Sequence, residues 1–174
     1  IRGSVGQADP LNGVKVPDKA IYRLYSMTKP VIASIALMLI EEGKLRLYDP
    51  VASYLPDFAT MDIIEPDGAL HAAKRVMLLE HLLTHRSGLT YGFLPGCAAA
   101  KRYREAKLGI SAPPLKEMIE TIASLPLAFE PGSEWRYSVA TDVLGYLVEI
   151  ISGQSFPDYL RSAIFQPLGM VDTS

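Results

Sequence analysis

Apolar residues are concentrated in a few segments of the chain, and the densest of these runs from Val31 to Ile40. At 3.6 residues per turn, its side chains fall on most faces of a helix. The pattern predicts a helix over Met27 to Glu42 that is buried rather than superficial. Gly43 follows it, and glycine favours the left-handed backbone conformation that ends a helix.

The same periodicity predicts further helices downstream. A short one spans Leu78 to Thr84, and another lies in "PPLKEMIETIASLP", where Pro126 ends it. The clearest runs from Val139 to Ser152 and is closed by Gly153. One more short helix is expected in "FPDYLRSAIFQPLGM".

The remaining segments have fewer helical signals. The first twenty residues are rich in Gly, Asp, Asn and Pro, so they predict a loop with one short strand. "IYRLYS" has the composition of a strand, whereas residues 91–114 are broken by Gly and Pro and predict a long loop. The chain is therefore expected to be mostly helical with little strand.

Composition limits the classes of function. The chain has 174 residues, 49% of them hydrophobic, and a formal net charge of −2. Such a chain forms one domain or part of a larger one, and its charge gives no reason to expect nucleic acid as a partner. Residues 31–40 are too few to span a bilayer, so no transmembrane segment is predicted.

Two features bear on the cellular compartment and on processing. Cys97 is the single cysteine, which excludes an internal disulfide and fits a reducing compartment. We therefore expect the cytoplasm, with the periplasm as the alternative. Residue 1 is Ile and no signal sequence opens the chain, so a fragment or a processed product is expected.

A serine and a lysine stand three residues apart at the start of the first apolar helix. A serine hydroxyl is a weak nucleophile that needs a base and a neighbouring cation. On a helix, Lys29 would lie beside the Ser26 hydroxyl, near the positive end of the helix dipole. Pro30 is expected to push Lys29 away from helical dihedrals, and Ser26 as a simple helix cap is the alternative interpretation.

Three segments follow one another along the chain: "SMTKPV" at residues 26–31, "HLLTHRSGL" at 81–89 and "PGSEWRYSVATDVLGYLVE" at 131–149. Together they resemble the serine β-lactamase and penicillin-binding-protein superfamily, in particular class C β-lactamases and family VIII carboxylesterases. The resemblance implies an α/β (α+β) β-lactamase/transpeptidase-like fold with a helical lobe and an antiparallel-sheet lobe. Residues 1–45 would belong to the sheet lobe and residues 46–174 to the helical lobe.

The resemblance also implies the site. Ser26 matches the acylated nucleophile, Lys29 its lysine partner, and Tyr137 the tyrosine that activates the serine and protonates the leaving group. A lysine ammonium favours a phenolate, so the pKa of Tyr137 should fall towards a useful range. No cofactor or metal is expected, and the partner would be a small-molecule ester or amide.

Two departures from the family pattern narrow the expected activity. Class C β-lactamases carry Tyr-x-Asn, and here Val139 takes the place of the asparagine amide that contacts substrate. The downstream Lys-Thr-Gly motif is not found in the sequence. We therefore expect a short-chain esterase, with a β-lactamase, a D-Ala-D-Ala carboxypeptidase or a non-catalytic binding protein as alternatives. Residues 1–174 alone are expected to be poorly soluble or partly unfolded, and catalytically inactive.

The histidines and the cysteine suggest other sites only weakly. His81 and His85 stand four residues apart and could share a helix face, but they lack the glutamate of H-E-x-x-H. His71 is predicted to lie on the surface, and Cys97 has no patterned histidine partner.

The aromatic residues leave two interpretations open. "KRYREAK" at residues 101–107 is predicted to be a solvated loop. Tyr91, Phe93 and Tyr103 either line an acyl pocket or pack this loop. Trp135 is expected to pack under the turn at Pro131-Gly132 rather than to touch substrate.

Overall fold

The computed structural model describes residues 3–108 and 113–174. Six α-helices and four short strands lie in these two ranges. The helices are α1 Thr28–Glu41, α2 Leu79–Leu83, α3 Ala98–Glu105, α4 Leu115–Ala123, α5 Ala140–Ser152 and α6 Phe156–Leu160. The strands are β1 Gln7–Asp9, β2 Val14–Lys15, β3 Asp62–Ile64 and β4 Leu70–Ala72. The expectation of a mostly helical chain with little strand is confirmed for the described residues.

Helix α5 is the centre of the core, and α1, α2, α4 and α6 all pack against it. Val143 and Val148 are fully buried, as expected for a helix surrounded by others. Each aliphatic side chain buried in this way contributes about 1.5–3 kcal/mol to stability. The core therefore fixes α5, and with it the segment immediately before α5, where Tyr137 lies.

The predicted bounds of α1 and α5 are confirmed to within one residue at each end. Both helices are followed by glycines in the left-handed conformation, Gly43 at φ +72° and Gly153 at φ +68°. Residues with a Cβ adopt such φ values at a cost, which is why the glycines mark these helix ends so clearly.

Helix α1 differs from its prediction in burial. Ile35 and Leu39 face the core and are fully buried, but Leu37 is 50% exposed. The prediction of a helix buried on all faces is therefore wrong, because α5 covers one face of α1 and leaves Leu37 open. No helix in the described part of the chain has the length and apolar character needed to cross a membrane.

Two predictions of local structure are wrong. "IYRLYS" forms no strand: residues 21–24 are irregular, and Tyr25–Met27 form a 3-10 turn. Residues 98–105 form α3 instead of a loop, so most of "KRYREAK" is helical. Residues 98–105 are helical because Tyr103, which is 2% exposed, anchors the segment in the core while its basic neighbours face solvent. Residues 109–112 of the predicted loop lie outside the described residues.

The strands form two separate antiparallel pairs. Strands β1 and β2 pair near the start of the chain, and β3 pairs with β4 with Ile63 opposite His71. None of the four strands contains Ser26, Lys29 or Tyr137. The division of the chain into lobes at residue 45 stays a prediction.

Candidate active site

Ser26 and Lys29 lie where a 3-10 turn runs directly into α1. Ser26 is the middle residue of the turn Tyr25–Met27, and Lys29 is the second residue of the helix. The Lys29 Nζ donates a hydrogen bond to Ser26 Oγ at 3.4 Å. Helical geometry thus places the amine beside the hydroxyl, as expected from the three-residue spacing.

Pro30 does not disturb this arrangement. Lys29 lies within α1, so the expectation that Pro30 would push it out of helical dihedrals is wrong. The proline occupies the first turn, where backbone N–H groups have no partner inside the helix. Its missing N–H therefore costs the helix no hydrogen bond.

Tyr137 reaches the same place from the other half of the chain. It lies in the extended segment before α5, and its hydroxyl donates a hydrogen bond to Ser26 Oγ at 2.6 Å. The Lys29 Nζ lies 4.7 Å from the centre of the Tyr137 ring. The structure therefore brings together all three residues that the resemblance singles out.

Contacts within this cluster set the protonation states of Tyr137 and Lys29. Burial raises the pKa of Tyr137, but hydrogen bonds to Lys29 and Ser26 outweigh it, and the pKa falls below its usual 10.0. Burial lowers the pKa of Lys29, yet the hydroxyls of Tyr137 and Tyr91 reverse this, and the pKa rises above 10.5. The lysine therefore stays an ammonium, and the tyrosine is the group whose proton is loosened.

His85 is a neighbour of the cluster that sequence reasoning did not assign to it. Its ring centre lies 5.0 Å from that of Tyr137, and its Nδ1 lies 3.3 Å from Ser138 Oγ. Its backbone is left-handed at φ +55°, in the turn that follows α2. Burial lowers the pKa of His85, and the charge of Lys29 lowers it further, so the ring is neutral at pH 7.

The predicted pairing of His81 with His85 on one helix face is wrong. Helix α2 ends at Leu83, and the two histidines then diverge. His81 is buried, and its Nδ1 accepts a hydrogen bond from the Leu78 backbone N–H at 3.1 Å. Among residues 3–108 and 113–174, no group of three His, Cys, Asp or Glu side chains is placed to hold a metal ion.

Trp135 and His71 are both on the surface. Trp135 is 66% exposed and its ring lies edge-on to His85, with 6.3 Å between ring centres. The expectation that it packs under the turn is therefore wrong. His71 is exposed as predicted and contacts Glu65 at 2.8 Å.

Arg136 holds a loop against the site. Its Nε donates to Thr90 Oγ1 at 2.7 Å, and one terminal nitrogen donates to the Pro95 carbonyl at 2.7 Å. The loop between these contacts carries Tyr91 and Phe93, whose rings stack with centres 4.9 Å apart. No motif in the sequence pointed to Arg136, since its partners lie more than 40 residues away.

A cavity of about 410 Å³ opens on the other side of this loop. Tyr91, Phe93 and Tyr103 line it, as in the first of the two interpretations given above, and its use by an acyl group stays a prediction. Val139, 2% exposed, forms part of the same wall, as does Asp142 in the first turn of α5.

Comparison with known proteins identifies the family to which the chain belongs. The beta-lactamase family matches residues 1–174, and the chain belongs to it. Esterase EstB of Burkholderia gladioli is 38% identical over 179 residues, covering 98% of this chain and 42% of that protein. Protein Rv1367c of Mycobacterium tuberculosis is 35% identical over 173 residues, covering 97% of this chain and 42% of that protein.

Solved structures agree on the fold. The structure of EstCE1, described as a hydrolase with promiscuous acyltransferase activity, matches with a TM-score of 0.77 at 33% identity. The match covers 94% of this chain and 42% of that one. The chain therefore has the β-lactamase/transpeptidase-like fold, and it spans about 42% of the length of the relatives it matches.

Proposed function

We propose that the protein is a serine hydrolase that forms an acyl-enzyme on Ser26 and acts on short-chain carboxylic esters. The observation that carries this proposal is the contact of the Tyr137 hydroxyl with Ser26 Oγ at 2.6 Å, beside the Lys29 ammonium. The relatives named as esterases support it, and the relation extends over nearly all of this chain.

The proposed reaction begins with proton transfer. Tyr137, as the phenolate favoured by Lys29, takes the proton of Ser26, and Ser26 Oγ attacks the ester carbonyl carbon. Tyr137 then returns this proton to the alcohol oxygen as the bond between that oxygen and the carbonyl carbon breaks. Water adds to the acyl-enzyme in the second half, releasing the acid and restoring the Ser26 hydroxyl.

Lys29 acts as a fixed cation in this scheme rather than as the base. Its raised pKa keeps it charged over the pH range in which Tyr137 titrates. A positive charge beside Ser26 stabilises the developing alkoxide and the phenolate alike. The roles of Lys29 as the cation and Tyr137 as the base follow from these opposite shifts of their pKa values.

The substrate class is inferred from Val139. A β-lactamase site uses an asparagine amide there, whereas a buried valine offers shape and apolar surface only. A site built around a hydrogen bond discriminates strongly against partners that do not make it, and a simple ester needs no such bond. We therefore favour esters over β-lactams and peptides. The cytoplasm, expected from the single cysteine, stays part of the proposal.

The test uses the natural full-length protein. A serine-directed phosphonate should modify Ser26, as located by peptide mapping, and a nitrophenyl acetate should be turned over with a higher kcat/KM than a chromogenic cephalosporin. Label on another serine with Ser26 unmodified would refute the assignment of the nucleophile. A preference for the cephalosporin would instead favour the β-lactamase alternative, and binding without turnover would favour a non-catalytic protein.

A further inference from the structure

The cavity behind Tyr91 is large enough to hold part of a substrate. Its volume of about 410 Å³ falls within the range of about 300–1,000 Å³ that is usual for ligand pockets. Apolar and aromatic side chains form most of its wall, among them Phe93, Met118 and Val139. Arg104 and Lys107, both exposed, and the largely buried Asp142 supply its charges.

Tyr91 belongs to the wall of the cavity and also lies beside the candidate site. It lines the cavity, and its ring centre lies 5.3 Å from that of Tyr137. The Lys29 Nζ lies 5.6 Å from the centre of the same Tyr91 ring. A group seated in the cavity would therefore lie next to the residue that handles the proton.

The Tyr91 loop, which forms this part of the wall, is tied to neighbouring segments by hydrogen bonds. Arg104 Nε donates to the Gly92 carbonyl at 3.0 Å, which ties the loop to α3 in addition to the contacts made by Arg136. A Cβ on Gly92 would lie 2.7 Å from the backbone nitrogen of Arg104, so only glycine lets the loop approach α3 so closely. A fixed wall gives a cavity of defined shape, as a specificity pocket requires.

We propose, on the basis of the esterase function above, that this cavity receives the alcohol portion of the ester, and that this alcohol carries a ring-sized apolar group. In the proposed reaction Tyr137 must return its proton to the alcohol oxygen, so that oxygen lies within hydrogen-bonding distance of the Tyr137 hydroxyl. The group attached to it is thereby directed towards the space beside Tyr137. The acyl portion stays short and lies elsewhere.

Two isomeric esters separate the two sides of the substrate. In 2-naphthylmethyl acetate the ring is in the alcohol, and in methyl 2-naphthylacetate the same ring is in the acid. With the natural full-length protein, kcat/KM should be at least about tenfold higher for the first than for the second, since filling an apolar pocket discriminates by about 10–200-fold. Methyl acetate serves as the substrate that leaves the cavity empty.

Filling the cavity tests its role directly. Met118 is a half-buried residue of α4 that lines the cavity and lies outside the proposed catalytic cluster. Met118→Trp should lower kcat/KM for 2-naphthylmethyl acetate at least about tenfold and leave methyl acetate within about twofold. Met170→Trp makes the same change near the end of the chain, away from the cavity, and should alter neither.

Each outcome decides one question. If Met118→Trp is folded by thermal melt and hydrolyses 2-naphthylmethyl acetate as well as the wild type, the inference is wrong. If the loss appears with methyl 2-naphthylacetate instead, the cavity holds the acyl group and the assignment to the alcohol is overturned. If the folded wild-type protein hydrolyses no ester, the proposed function itself fails, which the methyl acetate and nitrophenyl acetate assays reveal separately. Should Met118→Trp not fold, Leu108→Trp fills the same cavity from a different element.

Discussion

Two tyrosines near the Tyr91 loop, Tyr137 and Tyr103, lie in opposite electrostatic environments. Tyr137 is partly exposed, and contacts with Lys29 and Ser26 lower its pKa. Tyr103 is 2% exposed, and burial raises its pKa well above the usual value. Its hydroxyl lies near the Thr90 backbone but makes no hydrogen bond of normal geometry among the described residues. A phenol thus becomes a usable base because of a neighbouring cation, and burial alone works against it.

The largest effect is expected from removing the proposed nucleophile beside Tyr137. Ser26→Ala in the full-length protein should lower kcat by roughly 10⁴-fold or more, because Ser26 Oγ is the hydroxyl to which both Lys29 and Tyr137 donate a hydrogen bond. Ser34→Ala is the matched control, since Ser34 lies in α1, the helix that follows the Ser26 turn, and its hydroxyl donates to the Pro30 carbonyl. Steady-state ester hydrolysis measures both, and full activity in Ser26→Ala would contradict the assignment.

The next largest effect concerns the Tyr137 hydroxyl itself. Tyr137→Phe removes the proton carrier and keeps the ring that packs against His85 and Tyr91. We expect kcat/KM to fall by about 10²-fold or more, with the melting temperature almost unchanged. A well-folded variant with normal turnover would show that Tyr137 only packs.

The pH dependence of kcat/KM tests the same contrast between Tyr137 and Tyr103. The active form of Tyr137 is the phenolate, so kcat/KM should rise with pH as the pH passes through a pKa below 10.0. This rise should disappear in Tyr137→Phe and persist unchanged in Tyr103→Phe. A rise that survives in Tyr137→Phe would mean that another group is the base.

A smaller effect is expected from His85, which packs on Tyr137. His85→Asn keeps a residue that tolerates positive φ but removes the ring, so Tyr137 is less well positioned and kcat/KM should fall about tenfold. His71→Asn is the control, because His71 lies on the surface and contacts only Glu65 and the Ala72 carbonyl. Equal activity in both variants would show that His85 has no part in positioning Tyr137.

The smallest effect is expected at Tyr103. Tyr103→Phe removes a buried hydroxyl without a partner, so the free energy of unfolding should rise by about 1 kcal/mol and kcat/KM for methyl acetate should not change. Chemical denaturation measures the first and steady-state kinetics the second. Destabilisation would reveal a hydrogen bond to that hydroxyl and would weaken the contrast with Tyr137.

Features with a local cause were predictable from the sequence. Gly43 and Gly153 end α1 and α5 within one residue of the predicted positions, because left-handed backbone has few other suitable residues. The approach of Lys29 to Ser26 follows from helical spacing alone. The meeting of Tyr137 with Ser26 did not follow from spacing and was inferred only through the family resemblance.

Features set by distant contacts were missed or misassigned. Helix α3 offers few large apolar residues to read: of its buried residues, Ala99 and Ala100 are small, and Tyr103 is the large one. "IYRLYS" has the composition of a strand, yet residues 21–24 pair with no strand in the described structure. His85 and Arg136 reach the site through tertiary packing, and nothing in their local sequence indicates it.

The hydrogen bond between Tyr137 and Ser26 joins residues 111 positions apart in the chain. Closing a flexible loop of that length costs about 4 kcal/mol of chain entropy, and the packing of α1 on α5 must supply it. The phenol and the hydroxyl therefore meet only after α1 has packed on α5. During refolding of the natural full-length protein, helices α1 and α5 can appear well before any turnover does. Recovery of activity thus marks the completion of folding, and it should lag behind the helical signal in circular dichroism.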